Sequence, residues 1–153
     1  METIDPAMAA RVWQRVRGQD TAPSPGLQLQ SLMEDAWEDA AVYRHLSRRH
    51  RGKNALLFSQ LHRQTLEQLR LLRGICALMK QCNPVLKSVP PRREPEGITL
   101  RRCYGHTLQR LNWYAQQEST PEYGRALAQL IRQTQNHSQL LLQLMSRPAA
   151  KSP

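Results

Sequence analysis

Residues 121–146, PEYGRALAQLIRQTQNHSQLLLQLMS, decide the fold. Leu127, Leu130, Ile131, Leu141, Leu144 and Met145 recur at steps of three and four, the period of a helix that buries one stripe. Carried through its middle, the stripe runs Leu127, Leu130, Thr134, His137, Leu141, Leu144. Two polar residues stand where a core wants leucine. A buried polar group costs free energy unless it is paired or binds something. The rest of the chain must therefore supply whatever Thr134 and His137 face.

Working outward, the same period recurs three more times. A first helix is expected from about Leu27 to Arg49, with Leu29, Met33, Ala36, Trp37, Ala40 and Tyr43 on its stripe. Glu34, Asp35, Glu38 and Asp39 make its first half acidic, and Arg44, Arg48 and Arg49 make its end basic, an order that suits the helix dipole. Glu34 and Glu38, four apart, read as part of a solvated face rather than as a carboxylate pair. Gly52 stops this helix. A second helix is expected from about Asn54, its N-cap, to Gln81, with Leu57, Leu61, Gln64, Gln68, Leu71, Ile75 and Leu78 in line. A third runs from about Thr99 to Glu118, with Leu100, Cys103, Thr107, Leu111 and Tyr114 in line. Ser119 or Thr120 then caps the fourth helix, with Pro121 in its first turn. Between the second and third helices, residues 82–97, CNPVLKSVPPRREPEG, carry four prolines and read as a long extended connection.

Residues 1–26 form an arm, in which Met8, Val12, Trp13 and Val16 fit a short amphipathic helix before GQDTAPSPG ends it. Residues 147–153 are a frayed tail. At 153 residues the chain suits a single domain built from Leu, Ala, Gln and Arg, an all-α composition. Its formal charge of +10 raises nucleic acid, an anionic surface or an acidic protein as partners. The densest basic run, RHLSRRHRGK at residues 44–53, is read as cations at a helix C-terminus. Cys76, Cys82 and Cys103 form no CxxC pair and argue against a disulfide framework and a zinc knuckle, which points to a reducing cytoplasm. No apolar stretch has the length of a membrane span, and the N-terminus has no secretory h-region. His45, His50, His62 and His106 share no face and read as surface residues.

The two halves echo each other at an offset of 70 residues. Leu57, Leu61, Leu71, Leu72 and Ile75 then fall on Leu127, Ile131, Leu141, Leu142 and Met145. The anomalous positions pair too: Trp37 with Thr107, Gln64 with Thr134, Glu67 with His137. Two helical hairpins related by a pseudo-twofold are expected, with the odd residues meeting at one level.

Taken together, LMEDAWEDAAVY, LHRQTLEQLRLLRGICALM, LRRCYGHTLQRL and TPEYG followed by LIRQTQNHSQLLLQL resemble the small ferritin-like, rubrerythrin-related proteins over nearly all of residues 27–146. The resemblance implies a ferritin-like antiparallel four-helix bundle with a long crossover between helices two and three. It also implies a di-iron centre that reacts with dioxygen or peroxide. Carried over by position, the family's glutamates would stand at Trp37, Gln64, Thr107 and Thr134, and its histidines at Glu67 and His137. Only His137 matches. Iron wants anionic oxygen donors, and these positions offer a neutral amide, two hydroxyls and an indole. The expectation is a degenerate site, with Trp37 filling the former cavity and Glu67 and His137 bonded to each other or to Gln64. The chain is then a non-catalytic scaffold or interaction protein with no cofactor. It would act with an unidentified protein partner and, by analogy, as a homodimer. Alternatives are a metal-dependent oxidoreductase holding iron or another divalent metal through Glu67 and His137, and a basic bundle that binds nucleic acid.

Overall fold

The computed structural model describes residues 24–90, 92–117 and 120–146. The arm proposed for residues 1–26 falls almost wholly outside them, as does the tail. Among the described residues there are four long helices and no strand: α1, Pro25–Arg49; α2, Gly52–Cys76; α3, Glu96–Gln117; and α4, Gly124–Met145. None is long and apolar enough to cross a membrane.

Local chemistry explains most of the boundaries. Ser24 accepts a hydrogen bond from the Leu27 N–H and Pro25 takes the first helical position, so α1 starts on a capped, preset turn. α1 ends at Arg49, and Gly52 opens α2 with φ +64°, a left-handed conformation in which a Cβ is costly. Asn54 is therefore inside α2, not its cap. At the far end α2 stops at Cys76 rather than at Gln81, and Leu78 is exposed. Thr120 does not cap α4. Residues 121–123 form a turn and the helix begins at Gly124 without a side-chain cap.

α1 packs against α2 and α3 against α4; the two hairpins then meet through α2 with α4 and α1 with α3. The core falls into two apolar clusters. One joins Leu29, Leu32, Met33 and Ala36 of α1 to Leu69, Leu72 and Ile75 of α2, Trp113 and Tyr114 of α3, and Leu127 and Leu130 of α4. The other joins Tyr43 and Leu46 of α1 to Leu57, Phe58 and Leu61 of α2, Leu100 and Cys103 of α3, and Leu141 and Leu144 of α4. Early residues of α1 and α4 thus meet late residues of α2 and α3, so α1 runs parallel to α4 and α2 to α3.

The connection between α2 and α3 follows α1 from one pole to the other. Ser24 donates to the Gln81 side chain, Asn83 N–H donates to Gln30, Arg92 pairs with Glu38 at 2.7 Å, and Glu96 meets His50 at 2.9 Å. At its start the backbone comes so close that a Cβ on Gly26 would overlap the Lys80 carbonyl oxygen. Here the cysteines depart from expectation. Cys76 and Cys82 form a disulfide across a Cα–Cα distance of 5.4 Å, well inside bonding range, leaving only Cys103 as a thiol. The turn at 77–81 brings the two residues together, which linear spacing did not reveal.

Candidate functional site: a buried polar layer

Between the two apolar clusters lies a layer of fully buried polar side chains: Asp39, Thr65, Gln68, Thr107, Arg110, Thr134 and His137. All six expected stripe residues of α4, Leu127 through Leu144 with Thr134 and His137 among them, are buried. Thr107 is buried as well. Thr134 donates to the Gln68 side-chain Oε1 at 3.4 Å, and His137 Nε2 lies 3.3 Å from the Tyr43 hydroxyl.

The other expected positions are not part of the layer. Trp37 is half-buried on the flank of α1, with the Arg73 guanidinium 5.7 Å from its ring centroid, and fills no central space. Gln64 is half-buried and Glu67 exposed, both bordering a groove on the outer side of α2 with Arg63 and Arg70. Glu67 and His137 are not bonded to each other. Inward places at this level belong to Ala36 and Asp39 on α1 and to Thr65 and Gln68 on α2.

The reason is a register error of one residue. The buried positions of α1 and α3 superpose at an offset of 71: Leu29 on Leu100, Leu32 on Cys103, Ala36 on Thr107, Asp39 on Arg110, Tyr43 on Tyr114. Those of α2 and α4 superpose at 69: Phe58 on Leu127, Leu61 on Leu130, Thr65 on Thr134, Gln68 on His137, Leu72 on Leu141, Ile75 on Leu144. A single offset of 70 lies between the two and is wrong by one residue for each helix. One residue turns a helix by about 100°, enough to exchange Ala36 for Trp37 and Thr65 for Gln64. The pseudo-twofold itself survives the correction, with its axis across the bundle, because the equivalent residues lie in opposite clusters or in the central layer.

The layer's charge comes from residues the sequence placed elsewhere. Asp39 sits in the acidic run of α1 but is completely buried. Its Oδ1 accepts from His106 Nδ1 at 3.0 Å and from the Cys103 thiol at 3.4 Å, and its Oδ2 lies 3.6 Å from Arg110 Nη1. Arg110 is the largest fully buried side chain, and its Nη2 donates to Thr107 at 3.4 Å. His106 is no free surface residue: only 15 % of its side chain is exposed, and its Nε2 faces Asp35 at 3.8 Å. His50 and His62 are also engaged, with Glu96 and with the Ala40 carbonyl.

Burial opposes a charge on His106, but the hydrogen bond to Asp39 and the charges of Asp39 and Asp35 outweigh it and raise its pKa. His137 is pushed the other way, down to about 3, first by burial and then by the Arg110 cation, so it is neutral near pH 7. Burial also raises the Cys103 thiol, with the neighbouring Asp39 charge adding to it, and Tyr114 is raised to about 12, chiefly by burial. None of these groups is prepared as a nucleophile at neutral pH.

The donor set does not fit a di-iron group. Trp37 and Glu67 face away, Thr107 donates its hydroxyl to the Cys103 carbonyl, Thr134 is bonded to Gln68, and His137 Nε2 meets Tyr43. A guanidinium, a permanent cation without acceptor atoms, stands in the same layer. Among the described residues no group of three or more His, Cys, Asp or Glu side chains is arranged to hold a metal ion. Compared with protein-family models, curated proteins and solved structures, the chain matches none.

Proposed function

We propose that the protein is a non-catalytic scaffold on a ferritin-like bundle, with the long crossover of that fold, in which an internal ion pair occupies the level of the lost di-iron centre. The observation that carries this reading is Arg110, fully buried beside Asp39. The Asp39 carboxylate is answered by Arg110 and His106, both supplied by the chain, so it has no need of a metal to balance its charge. The hairpin pseudo-symmetry and the antiparallel placement of α1 against α3 support the ferritin-like assignment. Work done by such a scaffold falls to its surface, through a protein partner or a second copy.

Metal analysis of protein purified from cells, followed by titration with ferrous iron under air, tests this. The expected result is no stoichiometric iron and no oxo-bridged absorption band. Two irons bound per chain would refute the proposal and restore the oxidoreductase alternative.

A further inference from the structure

Exposed cations crowd one pole of the bundle. Where α1 ends and α2 and α3 begin, Arg44, Arg48, Arg49, Arg51, Lys53 and Arg101 are all exposed. Among the described residues none of the six joins an ion pair. No Asp or Glu occurs between Ala40 and Leu66. The nearest carboxylates are already engaged, Glu94 by Arg102 and Glu96 by His50.

Helix dipoles account for only part of this. Arg48 and Arg49 lie in the last turn of α1, where a cation is favourable. Arg51 and Lys53 flank the start of α2, whose first turn holds no acidic residue and whose N-cap makes no side-chain hydrogen bond. A cation there opposes the dipole. It costs the folded chain stability and strengthens the field the pole presents to an outside anion. The connection after α2 places the start of α3, with Arg101, at the same pole, so residues 44–53 are joined by a cation from a distant part of the chain.

We propose that this pole binds the phosphate backbone of nucleic acid without reading base sequence. Five of the six cations are arginines, whose planar forks suit phosphate oxygens. A bilayer fits less well. Among the described residues the aromatic side chains of this end are packed on the core, Tyr43 and Phe58 buried and Tyr104 partly buried, rather than presented to a headgroup layer. Base readout lacks a surface as well, since among the described residues no exposed Phe, Trp or Tyr accompanies the arginines to stack on bases. The proposal is independent of what fills the centre of the bundle.

The test is binding of a short mixed-sequence DNA duplex by the full chain, measured against salt. Neutralising about six phosphates gives a log–log slope near −5, a loss of about a thousandfold between roughly 50 and 200 mM salt. The exposed pair Arg48→Gln with Arg51→Gln should reduce that slope by about 2. The control pair Arg125→Gln with Arg132→Gln, on α4, should leave it unchanged, and both variants should keep the parent's helical circular dichroism. A slope altered equally by both pairs, or by neither, overturns the assignment to this pole. Binding to phosphatidylserine vesicles without binding to the duplex overturns the choice of partner.

Discussion

Arg110 and His137 govern the energetics of the central layer in opposite ways. Arg110 is a charge whose removal strands another charge. Arg110→Met should destabilise the protein by about 3–5 kcal/mol, because Asp39 stays buried with one fewer partner. Adding Asp39→Leu should recover most of that loss, since an apolar pair of similar volume lacks the desolvation cost. Urea unfolding of the single and double variants measures both steps. His137 is instead kept neutral by its surroundings, with a folded pKa of about 3 against an unfolded value near 6.5. Below about pH 6.5 the unfolded chain takes up a proton that the folded chain refuses. Stability therefore falls as pH drops, by about 1.4 kcal/mol per unit from this residue until about pH 3. His137→Gln, neutral and able to hydrogen-bond Tyr43, should flatten that acid limb in unfolding curves taken across pH. His106 has the contrary sign. Its raised pKa contributes stability that is present below the unfolded value and lost as pH rises through the folded one, so His106→Asn should weaken the pH dependence on the alkaline side. Of these residues only His137 was visible as an interior anomaly. Asp39 was hidden in a run of four acidic residues, where composition spoke for solvent, and Arg110 looked like any helix arginine because its partner lies 71 positions away.

The helices themselves were legible because each has its own period and its own stops: Pro25, Gly52, and the prolines between α2 and α3. The connection was legible only as non-helical. Its path and its attachment to α1 depend on contacts between residues more than fifty positions apart, such as Asn83 with Gln30 and Arg92 with Glu38. Two features of this element should matter to stability. The disulfide ties the end of α2 to the start of the connection, and closing so short a loop is worth about 2 kcal/mol. Cys76→Ser with Cys82→Ser should lower stability by that amount, and a reductant should do the same to the parent protein and nothing to the variant. Gly26 lets α1 lie against the turn. Gly26→Ala should displace residues 77–81 and lower the melting temperature, although alanine is the better helix former.

At the scale of the molecule, the pseudo-twofold makes the charge of the central layer a pairing rule. Asp39 in the first hairpin and Arg110 in the second occupy equivalent places. Two copies of the first hairpin would set aspartate against aspartate, and two copies of the second would set arginine against arginine. Only unlike hairpins set opposite charges against each other in the layer, a form of discrimination by penalising the wrong partner. In Asp39→Leu with Arg110→Met the penalty is gone. We expect that variant to show exchanged dimers or mixed species by size-exclusion chromatography, with helical content retained.

The full-length connection also settles where the chain enters and leaves. Had the helices simply alternated up and down, Ser24 and Ser146 would share a pole. With α1 and α4 parallel, they stand at opposite poles, separated by about the 1.5 Å rise of some 22 residues, or roughly 33 Å. The bundle thereby sets these two positions one helix length apart. Ser24 stands a bundle's length away from the arginine-rich pole, and Ser146 stands beside it. Spin labels at positions 24 and 146 would read that distance directly, and a value near 10 Å would contradict the path of the connection.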